Sequence, residues 1–64
     1  MNDLIVRNEG SIFLLTPVTE IGHDWIAEHI PEDATRWGPA IVVEHRYIRD
    51  IVEGATADGL KVGD

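Results

Sequence analysis

Sixty-four residues with five Lys+Arg against twelve Asp+Glu, no Cys and 44% apolar residues give a formal net charge of −7. Residues 1–64 therefore describe one small acidic domain: the length excludes a catalytic domain joined to a binding domain, and the missing cysteines exclude thiol nucleophiles, zinc knuckles and disulfide scaffolds. The charge argues against direct contact with nucleic acid or an anionic membrane, because neutralisation of phosphate by Lys and Arg dominates such binding.

Near the N-terminus, Leu4–Val6 and Ile12–Leu15 flank Arg7-Asn8-Glu9-Gly10-Ser11. Asn and Glu followed by Gly suit a type I turn that ends in a left-handed residue, so the segment predicts strand, tight turn, strand. Pro17 stops the second strand, since it has no N–H for the ladder and biases Thr16 toward extended geometry. Thr19 then caps a helix from about Glu20 to Ile30, which Pro31 ends. Ile21, Trp25, Ile26, His29 and Ile30 make one apolar stripe on it, while Glu20, Asp24 and Glu28 form a separate acidic ridge. Gly22 weakens this helix by up to about 1 kcal/mol relative to Ala, so packing has to hold it.

Glu32 to Pro39 reads as a loop, and Ala40-Ile41-Val42-Val43-Glu44 as a buried central strand. A second helix runs from about Arg46 to Ala57 with Ile48, Ile51, Val52 and Ala55 inward. Arg46–Asp50 and Arg49–Glu53 sit four apart, the spacing of ion pairs on an outer face. Gly59 suits a left-handed C-cap and Leu60 the apolar contact beside it; Leu60-Lys61-Val62 is compatible with a short last strand. The fold class expected is α/β (α+β), with element order ββαβα and a three- to four-stranded mixed sheet packed by two helices. The crossover through the first helix is right-handed if the strands it joins are parallel neighbours.

The longest apolar runs, Ile12–Leu15 and Ala40–Val43, are four residues each, against about 20 for a membrane span. The start, Met-Asn-Asp-Leu-Ile-Val-Arg, lacks the basic and apolar regions of a signal peptide, which predicts a cytoplasmic protein. Ordering 64 residues costs about 1.5 kcal/mol each, so a homodimer or a docked partner is one way to bury more surface.

Catalytic and cofactor signals are weak. His23 and His29 are six apart and cannot jointly ligate one metal from a single helix. No Gly-rich phosphate loop follows a strand, and Ser11, the only serine, starts a strand rather than a nucleophile turn. A chain this short barely encloses a substrate. We expect no enzyme, no cofactor and no metal.

Charge distribution is more informative. From Glu20 to Asp33 there are five acids (Glu20, Asp24, Glu28, Glu32 and Asp33) and no Lys or Arg. One reading is a solvated face that serves solubility; the other is an acidic surface shaped for a basic groove. Acids four apart on a helix repeat every ~6 Å, against ~3.4 Å per charge along one DNA strand. A DNA mimic therefore needs a second row, from Glu32 and Asp33, from Asp50, Glu53 and Asp58, or from a dimer mate. Trp37, in Thr35-Arg36-Trp37-Gly38-Pro39, either closes one end of the sheet or serves as an exposed apolar anchor. Tyr47 is expected to be buried with its hydroxyl paired.

The strings Arg7-Asn8-Glu9-Gly10-Ser11-Ile12-Phe13-Leu14-Leu15-Thr16-Pro17, Trp25-Ile26-Ala27-Glu28-His29-Ile30-Pro31 and Val43-Glu44-His45-Arg46-Tyr47-Ile48 resemble a group of short uncharacterised acidic proteins from bacterial genomes, phages and other mobile elements. The resemblance spans about Arg7 to Leu60 and carries no catalytic residue. It implies an anti-defence context: small acidic proteins of mobile elements are often anti-CRISPR or anti-restriction inhibitors, some of them nucleic-acid mimics. The function expected is a non-catalytic inhibitor that blocks the DNA-binding surface of a host defence complex, using Glu20, Asp24, Glu28, Glu32, Asp33 and Trp37. Its partner would be a basic nucleic-acid-binding protein or complex, such as a CRISPR effector. The alternatives are a small homodimeric structural or regulatory module, and an operon-linked adaptor or antitoxin-like protein.

Overall fold

A computed structural model describes all residues from Met1 to Asp64. The elements are β1 (Leu4–Asn8), β2 (Ile12–Pro17), α1 (Glu20–His29), β3 (Arg36–Trp37), β4 (Ala40–Glu44), α2 (His45–Ala57) and β5 (Val62–Gly63). They form the expected α+β fold, but in the order ββαββαβ and not ββαβα, with one mixed sheet of five strands and not three to four, ordered β3-β4-β2-β1-β5, because β3 and β5 are two-residue edge strands. Both helices pack on the same face, since Trp25 and Ile26 of α1 share a core with Ile48 and Ala55 of α2.

Several local expectations hold for the reasons given by their residues. Gly10 takes φ 92° in the hairpin, and its N–H donates to Asn8 Oδ1 at 2.8 Å. Thr19 Oγ1 accepts the Gly22 N–H at 3.1 Å and caps α1. Ile30 is extended (φ −110°, ψ 130°) ahead of Pro31, as a residue before proline must tend to be. At the end of α2, Gly59 has φ 91°. Its N–H donates to the Thr56 carbonyl and that of Leu60 to the Ala55 carbonyl, both at 3.0 Å, and Leu60 and Ala55 both enter the core. This is a Schellman ending.

Four expectations are corrected. The loop from Glu32 to Pro39 contains a strand: Arg36 and Trp37 pair with Ile41 and Ala40 across a turn in which Gly38 has φ 59°. Two residues are too few to show periodicity, so the strand exists only because β4 offers an edge. The last strand is Val62–Gly63, parallel to Leu4–Ile5, and not Leu60–Val62, because Leu60 is used by the helix ending. The central strand is β2, not β4. Finally, the strands that α1 joins, β2 and β3, run parallel to each other but have β4 between them in the sheet, so they are not the parallel neighbours that the expectation required.

Register decides which side chains meet the helices. Leu4 opposes Pro17, Val6 opposes Leu15, Leu15 opposes Ile41 and Phe13 opposes Val43. These alternate residues face α1 and α2, and Leu4, Leu15 and Ile41 are essentially inaccessible. The other face carries Ile5, Ile12, Leu14 and Val42, which are only half-buried and lie outside the core. β4 is thus covered on one face rather than on both.

The accessible surface is 4358 Å², close to the about 4,100 Å² expected for a lone folded chain of this mass. The monomer therefore closes its core to the usual extent without a second copy.

One polar clamp fastens the ends of the chain to α1. Asp3 Oδ1 accepts from the Thr19 hydroxyl at 2.7 Å and Asp3 Oδ2 from the Lys61 N–H at 2.9 Å. The backbone bond from Lys61 and then the Thr19 hydroxyl hold the Asp3 carboxyl below its ordinary value. Gly22 belongs to the same contact: a Cβ there would run into the Asp3 carbonyl oxygen. Glycine is present because α1 crosses the start of β1 too closely for any side chain.

Candidate functional site

α1 positions the acidic ridge. With Gly22, Trp25 and Ile26 buried against the sheet, helical geometry turns Glu20, Asp24 and Glu28 outward. All three are exposed, as are Glu32 and Asp33 in the turn after the helix. None of the five enters an ion pair; the pairs formed are Arg7–Glu9, Arg46–Glu44 and Arg49–Glu53, and the His29 ring lies 3.6 Å from Asp58.

Trp25 links the ridge to the far end of α2. Its indole N–H donates to Asp58 Oδ2 at 2.8 Å, which draws that carboxylate alongside Asp24 and Glu28 around one shallow depression. Asp58 is therefore the partial second row that helical spacing on α1 alone lacks. Glu53 adds nothing to it, since Arg49 holds it at 2.9 Å. His29 stacks on Trp25 at 4.2 Å and donates from Nδ1 to the Trp25 carbonyl at 2.8 Å.

Three side chains stand differently from their sequence reading. Ile21 is 61% exposed, because the inward stripe of α1 runs through Gly22 rather than through its neighbour. Tyr47 is also exposed, under the Arg46 guanidinium, 4.9 Å from its ring centre. Arg46 pairs with Glu44 at 3.6 Å instead of with Asp50, which is left without a cation. Trp37 lies on the edge strand β3, 57% exposed, opposite Ala40.

Sequence reasoning missed a groove of about 440 Å³ between α2 and the chain that follows α1. Ile30, Ala34, Ile41, Val43 and Ile51 supply its apolar surface, and Glu44, Tyr47 and Asp50 stand along it; no Lys or Arg lines it. The only signal for it was the apolar pair Ile30 and Ala34 bracketing Pro31, Glu32 and Asp33. Their convergence on Ile51 is a product of the fold.

The remaining imidazoles are apart: His45 lies against Phe13, with Nε2 donating to the Gly10 carbonyl at 2.6 Å, and His23 is exposed. No three His, Asp or Glu side chains gather as a metal site, and no helix is long and apolar enough to cross a membrane. Chemically, the assembled surface offers uncompensated carboxylates beside an apolar groove. Compared with protein-family models, curated proteins and solved structures, the chain matches none.

Proposed function

We propose that this chain is a non-catalytic acidic binding protein that lays α1 against the basic nucleic-acid channel of a host defence complex, such as a CRISPR effector or restriction enzyme, and blocks DNA access. One observation carries the reading. Glu20, Asp24, Glu28, Glu32 and Asp33 are exposed and free of the chain's own cations, whereas Glu9, Glu44 and Glu53 are each held by an arginine. Carboxylates left uncompensated are available to steer association with a positive surface and to fix register on it. Trp37 is an exposed aromatic of the type that anchors interfaces.

The test reverses Glu20, Asp24 and Glu28 to Lys together. Like-charge contacts cost several kcal/mol at an interface, so inhibition of DNA binding by the target complex, read by mobility shift, falls by at least about a hundredfold. A folded triple variant with unchanged potency overturns the proposal.

A second reading is favoured by the open sheet face. Ile5, Ile12, Leu14 and Val42 are half-buried and uncovered by either helix, which suits a homodimeric module built back to back. Sedimentation equilibrium tests it: a dimer that dissociates on Leu14→Lys supports it, and a monomer at every concentration removes it.

A further inference from the structure

We propose that the groove between α2 and the Ile30–Ala34 segment seats an extended basic segment of the partner, with one apolar side chain inside and lysines or arginines on either side. The inference rests on the reading above that the partner is basic, and adds where and how it is gripped.

The groove, at about 440 Å³, falls toward the small end of ligand sites, which run from about 300 to 1,000 Å³. Its walls are aliphatic, so an apolar side chain gains by entering. Its surroundings carry the opposite sign to a basic partner. Asp50 stands on the α2 side without a cation, Glu44 is the only rim acid that is compensated, by Arg46, and Glu32 and Asp33 are exposed in the opposite wall between the lining residues Pro31 and Ala34. A segment with cations flanking an apolar anchor matches this pattern at Asp50 on one side and at Glu32 and Asp33 on the other. A second copy of this chain does not, since each copy carries −7 and would meet its own sign.

Strand pairing indicates the conformation of the occupant. β3 opposes β4 only at Ala40 and Ile41, and the last bond between the two segments is Val42 N–H to the Thr35 carbonyl at 2.9 Å. Nearer α1 the chain turns away from β4, with Ala34 N–H donating to the Pro31 carbonyl at 3.1 Å. No strand of the sheet accompanies Val43 and Glu44 on that edge, where both line the groove. An extended segment continues the sheet where β3 leaves it, and its alternate side chains reach the groove.

The experiment uses two fluorescein-labelled nine-residue peptides, each with four lysines on either side of a central residue that is leucine in one and serine in the other. Anisotropy titrations with the intact protein are expected to give binding at least about tenfold tighter for the leucine peptide, the gain from burying one leucine. Ala34→Phe, which fills the groove, abolishes that difference and leaves the serine peptide unchanged. Equal binding of the two peptides to the unaltered protein, lost on reversing Glu20, Asp24 and Glu28, overturns the groove while the acidic interface stands; no binding of either peptide overturns both. Should Ala34→Phe fail to fold, methyl NMR of the unaltered protein decides. Shifts at Ala34, Ile41, Val43 and Ile51 on adding the leucine peptide support the site, and shifts confined to Ile5 and Leu14 overturn it.

Discussion

α1 and α2 lie on the same face of one sheet and share one core, yet they treat charge in opposite ways. α2 carries two arginines and two acids between His45 and Ala57, a formal balance of zero, and its Arg49 and Glu53 pair one turn apart. α1 and the turn after it carry five acids and no Lys or Arg, and none of those acids is paired. The contrast teaches that the charge of −7 is not spread as a uniform solubilising coat. It is concentrated on α1 and the turn after it, while α2 balances its formal charge, with Arg49–Glu53 paired within the helix and Arg46 turned to Glu44 before it. The two glycines of these helices differ in the same way: Gly22 is crossed by backbone, whereas a Cβ at Gly54 would only touch Trp25 at 3.7 Å.

The sharpest way to break the comparison is to remove what joins the helices. Trp25 is buried, stacks on His29 and donates to Asp58 beyond α2. Truncation of a buried Trp costs about 3–5 kcal/mol, of the order of the whole stability of a small domain. Trp25→Ala is therefore expected to be unfolded by circular dichroism. Next, the same substitution in the two helices should have opposite signs. Gly22→Ala forces α1 off the Asp3 carbonyl and costs about 1–3 kcal/mol in denaturant unfolding despite better helix propensity. Gly54→Ala meets only ordinary contact and stabilises by up to about 1 kcal/mol. Equal effects at the two sites would mean that α1 is not pressed on β1 as described.

Acid sharpens the comparison at the other end of α1. Because the Asp3 carboxyl is held below its ordinary value of 3.8, its contribution to stability is present above that pH and is lost as pH falls through the lowered folded value. Unfolding midpoints measured from neutral to acid pH should fall less steeply in Asp3→Asn than in the unaltered chain. The smallest effect belongs to α2's surface pair: Arg49→Ala should cost a few tenths of a kcal/mol, and less as salt is raised.

Much of the local structure was legible in the residues because each signal was local. Asn8 and Gly10 specify the hairpin, Thr19 and Pro31 bound α1, and Gly59 with Leu60 ends α2 through backbone bonds to residues within one turn. The acidic ridge was legible too, since spacings of four on a helix fix a common face. β3 was not: a two-residue strand has no periodicity and depends wholly on β4. Ile21 was misplaced because a stripe of apolar spacing does not say which side of it meets the sheet, and Tyr47 because the tendency of tyrosine to be buried gave no sign of the Arg46 guanidinium over its ring. Here the close approach at Gly22 sets the rotation of α1.

What the sequence determined by itself is therefore the two helices with their ends, the first hairpin turn, the acidity of the Glu20–Asp33 stretch and its lack of cations, since each depends on neighbours along the chain. Only the tertiary structure decided the sheet order, the uncovered face, the gathering of Asp58 beside Asp24 and Glu28, and the groove under Tyr47. These depend on contacts between residues far apart in the chain, and their energies come from surfaces that exist only once the helices have packed on the sheet.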